Sequence, residues 1–548
     1  MWLSFLALAC RESSPVSQTH PTDPLVTGTF STDPGERLIG DAELLTRLSL
    51  DLRGIRPTAA ELDAFEADPS TYDAVVEAWL ADPRFGQRVA DLWSEVYNSR
   101  NGTFFVDFTG VSNQTGFHED TLQGSVAEEP LQVLAWLADH DEPYDQLVLA
   151  DWTMADEVLA QIYPVDYPVG VTGWQRVHYT DARPKIGILS SNGMWWYQGS
   201  MENNRNRGRA NKVSRALLCD DYLEREIPFV PSAQLAGEEE QANAIRTNPS
   251  CTACHDTLDP LASHFYGFWW YLAEKAALEL ISTYRTERED LWRELTGTPP
   301  GYFGQPSSGL VDLGPLVARD PRFTSCFVKQ AWELVTRTDV DEVPVDLARV
   351  GDAFEENLVI RDVFRALVHL PEYQGWDERF TRRRVSPELL SSEVEELTGY
   401  RWTARTSDRD LVNAFTGYVL LAGGFDRDRV VSPAPTDTVT SVLVVQRLAE
   451  NAAQSVVVHD RALPPEKRRL LGLVDFTETP DGPGSERMAA QLQALRRRVL
   501  GREVPVDGEE VSSDLAVWSA AHEVTGDPYL AWAAVLSLLL RDPDFVTY

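Results

Sequence analysis

The chain has 548 residues, 43% of them hydrophobic and 16 of them Trp, which is enough apolar side chain for several packed cores and too much for a disordered polypeptide. Its 85 acidic against 49 basic residues leave a formal charge of −36, which argues against nucleic acid as a partner, because phosphate binding needs a concentrated basic surface. No run of about twenty apolar residues occurs, so no transmembrane span is expected.

Met1 to Cys10 reads Met-Trp-Leu-Ser-Phe-Leu-Ala-Leu-Ala-Cys, a short apolar run ending in small residues and a cysteine. It is similar to the end of a bacterial lipoprotein signal peptide, although no basic residue precedes it and Ala7-Leu8 inverts the usual order before the cysteine. On this reading Cys10 is a lipidated N-terminus. The protein is then a periplasmic or outer-membrane lipoprotein of the cell envelope, touching the membrane through its lipid anchor only. Residues 11–38 are rich in Ser, Thr and Pro and read as a flexible tether.

From Asp41 the pattern is helical, with Leu44, Leu45, Leu48 and Leu52 at helical spacing and a break at Arg56-Pro57-Thr58. The fold class expected is mainly α, a multidomain helical protein with irregular loops, whose first helical domain covers 39–165. Asp-Pro pairs punctuate the chain at Asp68, Asp82, Asp320, Asp527 and Asp542. Each predicts a helix-to-helix corner, since Pro disfavours the α conformation in the residue before it, Asp caps, and Pro opens the next helix. In three of them an aromatic, Phe85, Phe323 or Phe545, follows two positions after the Pro and should close the corner onto the core. Residues 98–128 are poor in periodicity and read as a long loop or a small irregular lobe, with a helix resuming at Pro130 to His140. Tyr163 to Gly187 suggests short strands or extended loop.

Asn203 to Lys212 is a basic island in an acidic chain. Its arginines suit either the neutralisation of carboxylates on a bound cofactor or a solvated helix start. A helix carrying Cys219 is expected over Val213 to Leu223, then a polar, mobile approach over Glu238 to Asn248.

Cys251-Thr-Ala-Cys254-His255 follows, and it narrows the function most. C-x-x-C-H is the attachment signature of c-type haem, in which two thiols add to the vinyl groups and the adjacent imidazole binds the iron. Two intervening residues make roughly one helical turn and present both sulfurs to one edge of the porphyrin. The competing readings are half of a zinc site, which needs further Cys or His from elsewhere, and a dithiol redox pair, which expects a thioredoxin-like context. The haem-bearing module is placed at 166–300. For a sixth iron ligand the sequence offers Met194, Met201, His178, His264 or none.

Past the motif, Trp269 to Leu295 has the stripe of a long helix, and Thr296 to Ser308 is a Gly/Pro loop. A helical module at 301–385 should pack on the haem region, and a C-terminal helical domain at 386–548 shows no chemistry. In that domain Ser485 is the expected cap of a helix with Met488, Leu492, Leu495 and Val499 on one face, Arg496 to Arg498 near its C-terminal end and Gly501 beyond it. Tyr529 to Leu540 is apolar nearly all round and should be buried. Five cysteines, less Cys10 for lipid and Cys251 and Cys254 for haem, leave Cys219 and Cys326, which an oxidising compartment would bridge unless each is buried as a thiol.

Gly40 to Thr58 together with Ala81 to Gly86, Asn248 to Leu261 with its Pro-x-Cys-x-x-Cys-His-x-x-x-Asp-Pro-Leu pattern, and Asp320 to Cys326 resemble uncharacterised bacterial families associated with planctomycete-type cytochrome c domains. The likeness covers residues 40 to 340 in pieces. It departs after Leu261, where Ala262-Ser-His264 stands in place of a Gly-Phe-Ala-type segment. The resemblance implies export and one covalent haem c, and no agreed reaction. The function expected is an exported c-type cytochrome lipoprotein, for electron transfer or as part of an oxidoreductase, with a redox partner protein that is basic if charge steers it. The alternative is an exported binding or scaffold protein with a structural zinc or dithiol at the motif.

Overall fold

Gly40 and Gly54 bracket the first helix, α1 (Asp41–Arg53). The Gly40 N–H donates to the Glu43 carboxylate, and Gly54, at φ 68°, ends the helix in the left-handed conformation that glycine adopts without strain. In this computed structural model, α1 is buried on nearly every side. The residues described are 38–100, 106–196, 204–226, 237–269, 276–277, 282–338, 347–375, 382–404, 409–414, 416–426, 430 and 432–548. Cys10, Met201 and the tether lie outside them.

The protein is mainly helical. After α1 come α2 (Ala59–Ala67), α3 (Tyr72–Leu80), α4 (Phe85–Tyr97), α5 (Thr109–Thr115), α6 (Glu119–His140), α7 (Gln146–Leu149), α8 (Arg207–Leu218), α9 (Glu238–Thr247) and α10 (Pro249–Ala262). Six short strands lie among the described residues: β1 (Val106–Asp107), β2 (Thr153–Ala155), β3 (Gln175–Val177), β4 (Ala276–Ala277), β5 (Gly301–Tyr302) and β6 (Gln305–Pro306). They pair two by two. β1 and β4 are parallel with Val106 opposite Ala276, β2 and β3 antiparallel with Thr153 opposite Val177, and β5 and β6 antiparallel with Gly301 opposite Pro306.

The Asp-Pro corners behave as their chemistry requires. Asp68, Asp320, Asp527 and Asp542 each accept from the N–H two residues on, with Pro at the first helical position. Asp82 accepts from the Arg84 N–H in the turn before α4. Phe85, Phe323 and Phe545 are all buried.

Two large apolar cores result. One runs from Ile39 to Tyr373, so segments 39–165, 166–300 and 301–375 share a single interior. The other holds Val385 to Val546 and also Leu50 of α1, whose Leu44, Leu45, Leu48 and Leu52 belong to the first core. A smaller cluster, with Phe108, Leu122, Tyr163 and Trp196, sits under the β2–β3 hairpin. Beside it Glu129, fully buried on α6, accepts from the hydroxyls of Thr153, Tyr179 and Ser191, and burial pushes its pKa up.

Charged pairs buried between the two bodies join them. Arg56 meets Glu393 at 2.5 Å with neither side chain more than 1% exposed, and Arg383 meets Asp51 at 3.1 Å. Asp51 also accepts from the hydroxyls of Tyr373 and Tyr548. The triplet Arg496 to Arg498 does more than end its helix (Ser485–Leu500). Arg496 pairs with Asp514, Arg497 with Asp63 and Glu66, and Arg498 with Glu396.

Several sequence expectations need correction. α6 begins at Glu119, eleven residues before Pro130, and carries that proline in its interior. Glu238 to Thr247 is a helix between Gly237 and Asn248, not an approach loop. The stripe over Trp269 to Leu295 does not make one helix. Arg285 N–H donates to the Gly267 carbonyl, so the chain folds back on itself, and the residues described there include β4, a 3-10 turn over Thr286–Leu291 and one helical turn at Trp292–Leu295. Gly267 is required at that return, because a Cβ would lie 2.1 Å from the Tyr284 ring. Thr296 to Ser308 contains the β5–β6 hairpin, with Phe303 and Gly304 both at positive φ in its turn. The cap ahead of Met488 is Gly484, with Ser485 already helical. The apolar helix near residue 530 spans Pro528–Leu539 and leaves Leu530 exposed, and a further turn, Pro543–Val546, follows it.

Candidate functional site

The motif occupies the first two turns of α10. Asn248 caps the helix by accepting from the Ser250 N–H at 2.9 Å, and Pro249 takes the first helical position, where its missing N–H costs nothing. Leu258, Leu261 and Ala262 bury one side of α10 against the main core. Cys251, Cys254 and His255 lie on the part that stays partly exposed, and both thiols are unbridged. Cys251 and His255 are four residues apart and share a face, as do His255 and Asp259.

The pairing of His255 is what gives the site its chemistry. Its Nδ1 lies 2.9 Å from Asp259 Oδ1, and Asp259 is clasped by Arg207 of α8 through Nε at 2.6 Å and Nη2 at 2.8 Å. Burial works against the charge of Asp259, yet the hydrogen bonds from Arg207 and His255 hold its carboxyl below the ordinary range. A metal-binding imidazole whose Nδ1 donates to a carboxylate has a fixed tautomer and leaves Nε2 as the coordinating atom.

Around Cys254 lies a compact set of charges and rings. Arg225 chelates Asp220 at 2.6 and 2.7 Å and covers the Tyr222 ring, and the Cys254 sulfur is among the groups acting on its guanidinium. Arg322 bridges Asp220 and Asp320 and covers Phe303. Tyr222 shares a hydrogen bond with Thr257 on α10 at 2.7 Å. On the far side of α10, Gly301 of β5 comes so close that a Cβ would sit 3.2 Å from Pro260 Cβ.

Cys219 and Cys326 are joined in a disulfide with their Cα atoms 5.3 Å apart. Cys219 is the left-handed residue that ends α8, and Cys326 lies buried on the Pro321–Thr336 helix. The bridge closes a loop that contains α10, and Asp220 next to it receives Arg225 and Arg322.

The basic island does start a helix, α8, but its arginines are engaged by the protein and not left to solvent. Arg205 donates to the Leu295 carbonyl, Arg207 holds Asp259, and Arg209, fully buried, donates to the carbonyls of Phe265 and Trp269. Burial pushes the Arg209 guanidinium down to about 9. These residues tie α8 to the motif helix and to the chain that follows it.

Of the sequence candidates for a sixth ligand, His264 is engaged at both nitrogens, Nδ1 with the Leu261 carbonyl and Nε2 with Ser307 Oγ, and burial pushes it down to about 4. Met194 is buried in the main core beside Trp195. His178, next to β3, is partly exposed and pairs with Asp166. Met201 lies outside the described residues. Asp259 could have been picked out as a partner of His255 by its spacing of four on a helix. Arg207, 52 positions from Asp259, left no signal in the sequence.

The donor set therefore fits a covalent haem. Two thiols on one turn and an adjacent imidazole with its second nitrogen occupied are what such a group requires. Among the described residues no group of three or more His, Cys, Asp or Glu is gathered to hold a metal ion, and no helix is long and apolar enough to cross a membrane.

The fold and site define a mainly helical protein with a thiol–thiol–imidazole motif at the start of a helix. Residues 36–186, from α1 to the segment before α8, match the family model PSCyt2, described as a protein of unknown function (DUF1549), a domain associated with planctomycete cytochromes. That match stops ahead of the C-x-x-C-H motif. No curated protein and no solved structure matches the chain.

Proposed function

We propose that the chain holds one covalent haem c through Cys251, Cys254 and His255 and serves electron transfer in the cell envelope, alone or as part of an oxidoreductase. The observation that supports this most directly is the pairing on α10. Two unbridged thiols stand three positions apart, and the imidazole after them is held at Nδ1 by Asp259 and through it by Arg207. The haem supplies a one-electron couple when bound. Cys251 and Cys254 would hold it through thioethers, each thiol adding its sulfur and its hydrogen across one vinyl double bond with nothing leaving.

The chain's own residues do the rest. Asn248 and Pro249 start the helix so that Cys251 and Cys254 fall on its first turns, and Leu258, Leu261 and Ala262 anchor it in the core. Tyr222 fixes Thr257, two residues past the motif. Export is supported by the disulfide, since such bridges persist in oxidising compartments. The lipid anchor rests on the run ending at Cys10. A chain of charge −36 suits a basic redox partner.

An optical spectrum of protein made in an exporting host with c-type maturation tests the reading. A Soret band that survives acid-acetone extraction is expected, and Cys251→Ala, Cys254→Ala and His255→Ala should each lower haem content. A colourless preparation containing zinc sinks it. For the anchor, Cys10→Ser should move the protein from the detergent phase to the aqueous phase, and equal partitioning of both forms refutes lipidation.

A further inference from the structure

The pair that orients His255 also loads charge onto it. His255, Asp259 and Arg207 are mostly withdrawn from water, with side-chain exposures of 23%, 13% and 21%. In such surroundings a hydrogen bond from an imidazole N–H to a carboxylate draws the proton toward oxygen and leaves the ring electron-rich, so that its other nitrogen becomes a stronger donor. A neutral carbonyl in the same place does this far less, because a charged acceptor makes the stronger hydrogen bond. Arg207 acts in the opposite sense. Its two hydrogen bonds, at 2.6 and 2.8 Å, draw on the same carboxylate and limit what Asp259 can pass to the ring.

Resting on the haem reading above, we infer that Asp259 is a positioning residue that makes His255 an electron-rich iron ligand and favours the ferric state, with Arg207 setting how far. The site is then a low-potential centre, built to give electrons to a partner more readily than to draw them. A purely structural role for the same residues is to staple α10 at one i,i+4 pair and dock it on α8. That role predicts changes in stability and none in potential.

The experiment uses the full chain, matured with haem, and measures the midpoint potential by optical redox titration for the wild type, Asp259→Asn, Asp259→Glu and Arg207→Gln, with thermal melts run in parallel. Asp259→Asn should move the potential to more positive values. Arg207→Gln, which frees the carboxylate to act on the ring, should move it to more negative values. Asp259→Glu keeps a carboxylate and should stay near the wild type. Asp220→Asn removes a neighbouring charge without touching His255, and should shift the potential less than Asp259→Asn. Unchanged potentials in Asp259→Asn and Arg207→Gln, shifts of the same sign in both, or an equal shift in Asp220→Asn overturn the inference. If Asp259→Asn fails to retain haem, Arg207→Gln decides: a more negative potential supports the inference, and any other result rejects it. A wild type without haem defeats the haem reading itself, whereas a haem-bearing wild type with unresponsive variants defeats this inference alone.

Discussion

Removing the Cys219–Cys326 bridge with the double variant Cys219→Ala, Cys326→Ala tests how the motif helix is held in place. The bridged residues are 107 positions apart. In the chain-entropy treatment a loop of that length restricts the unfolded chain by about 16 cal/mol/K, which is about 5 kcal/mol at 25 °C. At roughly 1.4 °C per kcal/mol for a body of more than three hundred residues, the melting midpoint should fall by about 7 °C. Both single variants should lose the same amount, because either one opens the same loop, though each leaves an odd thiol able to pair wrongly with Cys251 or Cys254. The double variant avoids that and is the one to compare by differential scanning calorimetry under non-reducing conditions. Peptide mapping without reductant should show the two cysteine peptides linked in the wild type. A double variant that melts within 2 °C of the wild type would refute the reasoning, since the loop would then contribute nothing to stability.

Arg56→Met leaves Glu393 buried without its cation and should cost about 3–5 kcal/mol in a urea titration, with Glu393→Met in the same chain restoring most of the loss; equal losses in the single and double variants would contradict this. His264 gives a pH dependence whose sign follows from its burial. Burial pushes the folded ring down to about 4 from its ordinary 6.5, so its contribution is complete above pH 6.5 and is lost as the pH falls toward 4. Over that window the loss is about 3 kcal/mol at about 1.4 kcal/mol per unit. His264→Gln should flatten this limb of the stability curve, and an unchanged limb would exclude His264 as its source.

Local chemistry was readable wherever it is enforced by neighbours in sequence. Asp68, Asp320, Asp527 and Asp542 cap as their Asp-Pro context demands, and the aromatics after three of the prolines are buried. The start of α10 follows from Asn248-Pro249 in the same way. What stayed hidden depends on partners far along the chain. Polar Gln123, Gly124 and Ser125 made the front of α6 read as loop, and Pro130 read as a helix start. The helix continues through it, and at the carbonyl four residues back, that of Val126, the chain packs so closely that a Cβ on Gly193 would lie 2.4 Å away. The basic island misled for the same reason. Arg205, Arg207 and Arg209 are satisfied by groups 90, 52 and 56 to 60 positions away, so no local pattern distinguishes them from surface charge.

The place of α1 between the two cores bears on the timing of folding. Asp51 is fully buried, and its partners Tyr373, Arg383 and Tyr548 lie 322, 332 and 497 positions further on. A charged carboxylate is costly to bury without partners, so the native burial of Asp51 depends on those distant residues. The first helix of the chain is thus completed by residues hundreds of positions further on, and it contributes to both cores. Contacts of such long range slow folding, because loop-closure entropy must be met before they form.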